Sequence, residues 1–478
     1  MPRAQNFTLP PRITFPAGLF SRTYTTTDGK RASVVYHTPS QSMAFLEDDS
    51  ASIWDRLYQA DGQFQPALDY MLAHGTWEGN PEQEARTVLT GFIEHLWQAQ
   101  LVRIPSIASP SRPDKPSKRQ AYDVAQDPDL QVGQFMADNH ICHGLVFETT
   151  YRCNERCVHC YLPGQTHLPE LTLPQIDDLL AEFASLGGFS ILLTGGETLV
   201  RRDFKDILAL VKKHRLMPSI VSNLTLLQDD VIEAIADAHP KSVGCSIYSA
   251  RPELHDAVTC LPGSFEKSVR ALRILREHGV PVILKTPLLK ATAPHWREIP
   301  ELAAKLGGEY QLDLSITAKN DGGLSPLAQR VEDPVLLREI FSSEFYHLYV
   351  RDEPMAQLAA KPSPDASLCG AGAAGLSIGP DGTIRPCIGL NLPMGRFPKD
   401  SLTKIWRESP FFQEFGSIRL KDITPCRDCA DLMYCSRCPG AWHAEHGDFR
   451  RPAAYTCTLA GAWAETQRAR ALTFQPNG

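Results

Sequence analysis

Thirteen cysteines stand in this chain of 478 residues, and none precedes Cys142. Ten of them sit in two groups: Cys153, Cys157 and Cys160 in the middle, and seven between Cys369 and Cys457. Thiols so closely spaced pair, bind metal or do redox chemistry. The start, MPRAQNFTLP, lacks the apolar stretch of a secretory signal. The expected compartment is therefore the cytoplasm, where disulfides are rare and clustered thiols hold metal.

Composition narrows the class. Apolar residues make up 43% and charged residues 22%, the balance of an ordinary soluble protein with material for a core. At roughly 150 residues per domain the length predicts about three domains. The net charge of −7 gives no general attraction to nucleic acid or anionic lipid. No apolar run is long enough to span a bilayer. Neither nucleic acid nor membrane is expected as a partner.

Residues 15–104 read as a small α+β unit. Short strands are expected at Ser33–His37 and Met43–Glu47, then helices over Ser50–Tyr58, Gln65–Ala73 and Pro81–Gln98, with Ser50 and Asn80 as N-caps. SIASPSRPDKPSKRQ follows, and 105–140 is expected to be a solvated linker. From Gly144 the pattern becomes strand, loop, helix, repeated about six times to a strand at Tyr310–Ser315. Crossover helices return the chain to the same sheet edge, so these strands are expected to be parallel. The expected fold is α/β, with a partial (β/α)6 TIM-like barrel over 141–345 and chemistry at the carboxyl ends of its strands. A bridging segment, 346–364, leads to a cysteine-rich domain over 365–470, where few long periodic segments remain and metal staples replace a large core.

The first barrel strand, LVFETT, runs into Cys153-Asn-Glu-Arg-Cys157-Val-His-Cys160. Three thiolates at this spacing can hold three corners of a 4Fe–4S cube and leave the fourth iron open to a ligand. The same spacing suits a structural zinc knuckle. The second strand, FSILLTGGE, ends in glycines, which let backbone approach a ligand closely.

The cysteine loop, with Thr194-Gly195-Gly196-Glu197 after the next strand, resembles the radical S-adenosylmethionine (SAM) superfamily. The resemblance implies a SAM-binding cluster on Cys153, Cys157 and Cys160. It places His159 at the position, often aromatic, before the third cysteine. It assigns the SAM ammonium to the backbone at Gly195 and Gly196 and to Glu197. Where the family usually has proline, this chain has Thr198. Ser222 and Asn223 resemble the polar turn that contacts the ribose, and Ser246 the serine that reaches SAM from a later strand. The stretch from Cys245 through HDAV, LPGSF and VILKTP resembles peptide-modifying members.

The C-terminal cysteines resemble the SPASM extension of such enzymes, which carries two auxiliary 4Fe–4S clusters. By that pattern Cys426, Cys429, Cys435 and Cys457 hold the outer cluster, and Cys369, Cys387 and Cys438 the inner one. A structural zinc ribbon is the other use of seven such thiols. Full ligation of three clusters takes eleven thiols, whereas the motifs supply ten. GAGAAGLSIG, where many SPASM proteins have another cysteine, has none. The inner cluster is thus expected to have an open site for a substrate thiolate. A water or other oxygen ligand, or Cys142 folding across, are the alternatives. Cys245 and Cys260 stay unassigned.

The N-terminal stretch SVVYHTPSQSMAFLEDDSASIWDRL resembles a RiPP recognition element, the winged-helix-like fold of the peptide chaperone in pyrroloquinoline quinone biosynthesis. Such a domain binds a precursor's leader peptide as an added strand and raises the concentration of its core peptide at the barrel mouth. Residues 15–104 carry eleven acidic and six basic residues, which argues against DNA.

Together the resemblances imply a radical SAM/SPASM peptide maturase. A flavodoxin or ferredoxin is then expected to supply the electron, SAM to yield a 5′-deoxyadenosyl radical, and the precursor peptide to be modified by an oxidative thioether or carbon–carbon crosslink. Asp313, near the last barrel strand's end, and Lys285, after the preceding strand, are the expected general-base candidates. The alternatives are a SPASM enzyme of cofactor biosynthesis or sulfatase-type maturation, and a non-enzymatic iron–sulfur electron carrier or redox sensor.

Overall fold

The computed structural model describes residues 12–105, 107–110, 128–163, 168–343 and 363–473. They fall into two compact units, one ending at Asn139 and one beginning at His140. The bridging segment 346–364 lies outside the described residues except for its last two.

The first unit opens with an antiparallel meander of β1 (Leu19–Thr25), β2 (Arg31–His37) and β3 (Ser42–Glu47), in that order across the sheet. β1 went unread in the sequence because its apolar residues are interleaved with Ser, Arg and Thr, which leaves a weak alternation. Three helices follow: α1 (Asp48–Gln59), α2 (Gln65–His74) and α3 (Pro81–Gln98). Their inward faces bury Trp54, Leu57, Leu68, Leu89 and Ile93 against Val35. The Trp54 indole N–H donates to Ser21 Oγ at 2.8 Å, which ties α1 to β1. Ser50 is not the N-cap of α1. Glu47 is, and the Glu47 N–H donates to Ser50 Oγ at 3.1 Å.

Asn80 does cap α3, its side chain accepting from the Gln83 N–H at 3.2 Å. Asn80→Ala removes that acceptor at a cost of about 1 kcal/mol. Amide exchange in the first turn of α3 is expected to quicken roughly fivefold; an unchanged rate would show that the cap contributes nothing. The stretch expected as linker is not extended throughout. Its end forms α4 (Pro128–Asp138), where Phe135 sets its ring edge-on to Phe45 of β3, with centroids 5.4 Å apart.

The second unit is built on β4 (Gly144–Thr150), β5 (Ser190–Gly195), β6 (Met217–Ser222), β7 (Ser242–Ser246), β8 (Val282–Pro287) and β9 (Glu309–Asp313). All are parallel and lie side by side in chain order. Helices α5 (Leu173–Ser185), α6 (Phe204–Lys213), α7 (Asp229–Asp237), α8 (Pro252–Thr259), α9 (Ser264–Glu277) and α10 (Glu298–Leu306) connect them. Alternate strand residues, among them Phe147, Leu193, Val243 and Leu284, pack in the core with these helices. The polar side chains Glu148, Thr194, Ser246 and Lys285 stand at alternate positions, toward the carboxyl ends of these strands. This is the mixed α/β, partial-barrel architecture, followed by the cysteine-rich region.

The barrel sheet does not stop at six strands. β10 (Gly375–Ile378), from the cysteine-rich region, pairs parallel to β4, and β11 (Thr383–Arg385) and β12 (Gly395–Arg396) extend it antiparallel. The region also holds the 20-residue helix Ala454–Thr473, contrary to the expectation of few long elements. Its Trp463 stacks on Phe341 of α11 (Pro334–Ser342). A buried ion pair between Arg330 and Glu445 strengthens the attachment. Among the described residues no helix is long and apolar enough to cross a membrane.

Candidate active site and cluster loops

β4 ends at Thr150, and the chain swings at once into the Cys153–Cys160 loop. Arg152 anchors the entry with two bonds to Glu170, at 3.0 and 2.9 Å. The Arg156 and Val158 N–H groups donate to the Thr259 and Val258 carbonyls. Asn154 accepts from Asn223 Nδ2 at 2.9 Å and donates to Thr225 Oγ1 at 2.7 Å, which couples the loop to the end of β6. The loop thus closes one side of a cavity of about 470 Å³ at the carboxyl ends of β4 to β7. All three cysteines reach its wall, as do His159, Gly195, Gly196, Ser222, Asn223 and Ser246.

The two glycines serve a purpose the sequence did not disclose. A Cβ on Gly195, whose φ is +133°, would stand 2.3 Å from the Thr150 carbonyl oxygen, and one on Gly196 would stand 2.4 Å from that of Arg152. They let two loops approach each other. The Gly196 and Glu197 N–H groups donate to those same carbonyls at 2.7 and 2.9 Å. Thr198, which replaces the usual proline, is fully buried, and its hydroxyl bonds to that of Thr149 at 2.9 Å.

Glu197 does not line the cavity. It is 1% exposed, and donors of the chain occupy both its oxygens. The Leu199 N–H and Ser222 hydroxyl donate to one at 2.8 and 2.7 Å, and the Asn223 N–H to the other at 2.6 Å. Geometrically Glu197 is the latch that holds the Ser222–Asn223 turn. Its carboxyl is raised by burial, and the three hydrogen bonds act against that shift. The acidic side chain at the cavity wall is Glu155, inside the cysteine loop, and sequence reasoning missed it. Only the direction in which the loop packs distinguishes it from a surface charge.

Burial dominates the electrostatics. It pushes the Cys153 thiol up to about 11, raises Cys157 and Cys160 as well, and moves Glu155 up to about 7. Burial also lowers His159 to about 4, so its ring is neutral. The His159 ring meets Tyr248 edge-on at 4.9 Å. Protonated thiols need a metal to become thiolate ligands.

The C-terminal thiols form two neighbourhoods. Burial raises Cys369 first, and Cys387 and Cys438 raise it further. Burial takes Cys435 to about 12, with Arg437 opposing and Cys457, Cys426 and Cys429 reinforcing. Among the described residues no three potential ligands converge tightly enough for a single metal ion.

Lys285 and Asp313 stand apart from the cysteine-lined cavity. Lys285 lies within β8 rather than after it, and its Nζ donates to Gln311 Oε1 at 2.8 Å. Asp313 closes β9, accepts from the Ser315 N–H at 2.8 Å, and lies within electrostatic reach of Lys285 and Cys438.

The parallel half-barrel thus carries a three-cysteine loop after its first strand, and the cysteine-rich region adds strands to its sheet. Residues 147–302 match the radical SAM superfamily model, and residues 369–430 match that of the SPASM iron–sulfur cluster-binding domain. These domains make the chain an enzyme of the radical SAM type, using SAM and iron–sulfur clusters. It is similar to the AdoMet-dependent heme synthase of Methanosarcina barkeri, 24% identical over 64% of this chain and 93% of that one. It is also similar to the PqqA peptide cyclase of Granulibacter bethesdensis, 25% identical over 60% of this chain and 79% of that one. In fold it resembles the crystal structure of Streptococcus suis SuiB bound to precursor peptide SuiA. The TM-score is 0.61 at 14% identity, over 93% of this chain and 99% of that one.

Proposed function

We propose that this chain is a peptide maturase that joins residues of a ribosomally made precursor by oxidative crosslinking. The observation that carries the reading is the placing of the thiols in three neighbourhoods, the first on the wall of a cavity at the strand ends. Cys153, Cys157 and Cys160 would hold the SAM cluster. Cys369, Cys387 and Cys438 would hold an inner auxiliary cluster with one open iron, and Cys426, Cys429, Cys435 and Cys457 an outer one. Bound there, SAM and a reduced cluster supply one-electron chemistry that removes a hydrogen atom from the substrate.

The chain's own residues bind, orient and exclude water. Ser222, Asn223 and Ser246 offer polar groups to the cofactor, His159 a neutral ring, and Gly195 and Gly196 the tight turn that shapes the wall. Asp313, within electrostatic reach of Lys285 and Cys438, is the group proposed to take the proton lost as the new bond closes, with Lys285 orienting it, and the auxiliary cluster that Cys438 would help hold would supply the acceptor for the accompanying electron. Among the described residues β3 pairs with β2 alone, and its outer edge is the one proposed to take a leader peptide as an added strand. A flavodoxin or ferredoxin in the cytoplasm is the proposed electron donor. Similarity to a heme synthase favours one second reading, in which the same chemistry acts on a tetrapyrrole.

The test is anaerobic reconstitution with iron and sulfide, then SAM, a strong reductant and a peptide encoded beside the gene. Wild-type protein is expected to release 5′-deoxyadenosine, and Cys153→Ala none. The peptide is expected to come out lighter by the mass of a hydrogen pair. An iron-replete protein that forms no nucleoside, with or without peptide, would refute the mechanism. Nucleoside formation that responds to a porphyrin precursor and not to peptide would move the substrate to the second reading.

A further inference from the structure

The two groups of C-terminal thiols differ in what surrounds their sulfurs. Each sulfur proposed for the inner cluster accepts a backbone N–H: Cys369 from Ala371 at 3.3 Å, Cys387 from Gly389 at 3.4 Å, and Cys438 from Ala441 at 3.4 Å. Among the described residues none of the four outer sulfurs, on Cys426, Cys429, Cys435 and Cys457, accepts a hydrogen bond. Hydrogen bonds to sulfur are one way a protein offsets the negative charge of an iron–sulfur cube, and nearby positive charge is another.

The cation on the outer side is Arg437. It stands two residues after Cys435 and directly before Cys438. The side chain is half-buried. Its Nη1 donates to the Leu432 carbonyl at 3.1 Å, in the turn that leads to Cys435, and its Nε is buried with no hydrogen-bond partner. Among the described residues Arg437 forms no ion pair, whereas the neighbouring charges are matched: Arg427 with Asp428 and Arg468 with Asp431. The charge of Arg437 reaches Cys435 and Cys426, and on both it opposes the burial that favours the protonated thiol. Cys438, its immediate neighbour in sequence, instead meets the Ala441 and Gly440 N–H groups, Cys387 and Asp313. A half-buried guanidinium without a carboxylate is costly unless something anionic stands beside it.

We propose that Arg437 sets the reduction potential of the outer cluster, by holding a fixed positive charge beside its four thiolates. The inference rests on the ligand assignment above and deepens it. A cube on four thiolates is anionic, and taking up one electron adds a further negative charge, with no bond made or broken and no proton moved. The guanidinium stays charged at every working pH, and partial burial strengthens its pull on that added charge. Arg437 thereby favours the arrival at the outer cluster of the electron released as the crosslink closes, which the oxidised flavodoxin or ferredoxin then collects.

The experiment is a potentiometric titration of the reconstituted holoenzyme followed by electron paramagnetic resonance. The signals of the two auxiliary clusters are assigned by their loss in Cys429→Ala and in Cys387→Ala. Arg437→Gln is expected to shift the reduction equilibrium of the outer cluster about tenfold toward the oxidised form, about 59 mV lower for one electron, and to leave the inner cluster unchanged. Arg437→Lys, which keeps the charge, is expected to recover most of that shift. Arg427→Gln, next to Cys426 but paired with Asp428, is expected to change neither cluster. If Arg437→Gln loads less iron than wild type, Ser436→Asp takes its place. Ser436 is exposed, and a carboxylate there offsets the neighbouring charge while keeping the bond to Leu432, so the outer potential is expected to fall. An unchanged outer potential, an equal shift in both clusters, or a shift in Arg437→Lys as large as in Arg437→Gln overturns the proposal. Loss of no auxiliary signal in iron-replete Cys429→Ala overturns the ligand assignment instead, and is seen before Arg437 is altered.

Discussion

Replacing Arg385 with methionine is expected to destabilise the second unit by about 3–5 kcal/mol, the range for removing one partner of a buried ion pair. Arg385 and Glu148 are both buried, and the guanidinium pairs with the carboxylate. Glu148 also accepts from Tyr151 at 2.9 Å and from Tyr161 at 2.8 Å. Tyr151 lies two residues before Cys153, Tyr161 follows Cys160, and Arg385 lies two residues before Cys387. One network thus grips both ends of the first cysteine loop and the approach to the inner thiols. Arg385→Met would leave Glu148 buried with tyrosine donors but no cation. Amide exchange in β4 and β11 should quicken roughly a hundredfold or more. Glu148→Gln combined with Arg385→Met should recover much of the loss, because no charge is then stranded. Exchange rates unchanged in the single variant would show that the pair is not a clamp.

On the proposed ligand assignment, Gly440→Ala is expected to remove about four irons per chain, the content of one cube. Cys438 is the N-cap of the helix Pro439–His446, and its sulfur accepts from the Ala441 N–H at 3.4 Å. A Cβ on Gly440 would stand 2.0 Å from the Gly389 carbonyl oxygen and 2.4 Å from its carbon. Those are backbone atoms of the turn that Cys387 opens, where the Leu390 N–H donates to the Cys387 carbonyl at 3.2 Å. Neither side can yield as a flexible side chain would, so the added methyl must drive Cys438 away from Cys387. Iron analysis and the electron paramagnetic resonance of the reduced protein check this, with Cys387→Ala as the reference for loss of that cluster. Gly416→Ala is the control, since nothing lies within 4 Å of its Cβ position. Full iron in Gly440→Ala would remove the inner cluster from this pair of thiols.

The two substitutions mark where sequence reasoning reached and where it ended. The β/α alternation from Gly144 to Ser315 was legible because strand and helix periods are properties of a few neighbouring residues. The expected strands appear within a few residues of where they were read, whereas α8, a short helix of mixed polarity, went unread. Ser50 could be recognised as a capping residue but not assigned to N3, since a one-turn shift of the helix start leaves the pattern intact. The spacing of the three cysteines and the paired glycines likewise announced a loop that could hold a cluster.

What the sequence by itself determined was therefore short-range: the parallel half-barrel, the cysteine loop at the end of its first strand, and a thiol-rich C-terminal region. Tertiary structure alone decided that the last region adds three strands to the barrel sheet. It alone decided that Gly195, Gly196 and Gly440 serve the approach of one backbone to another, that Arg385 pairs with Glu148 across more than two hundred residues, and that Glu155 rather than Glu197 reaches the cavity wall. The reason is physical. Residue type and spacing constrain local conformation, but the neighbours a side chain meets, and the burial that sets its charge and bonding, depend on segments far away in the chain.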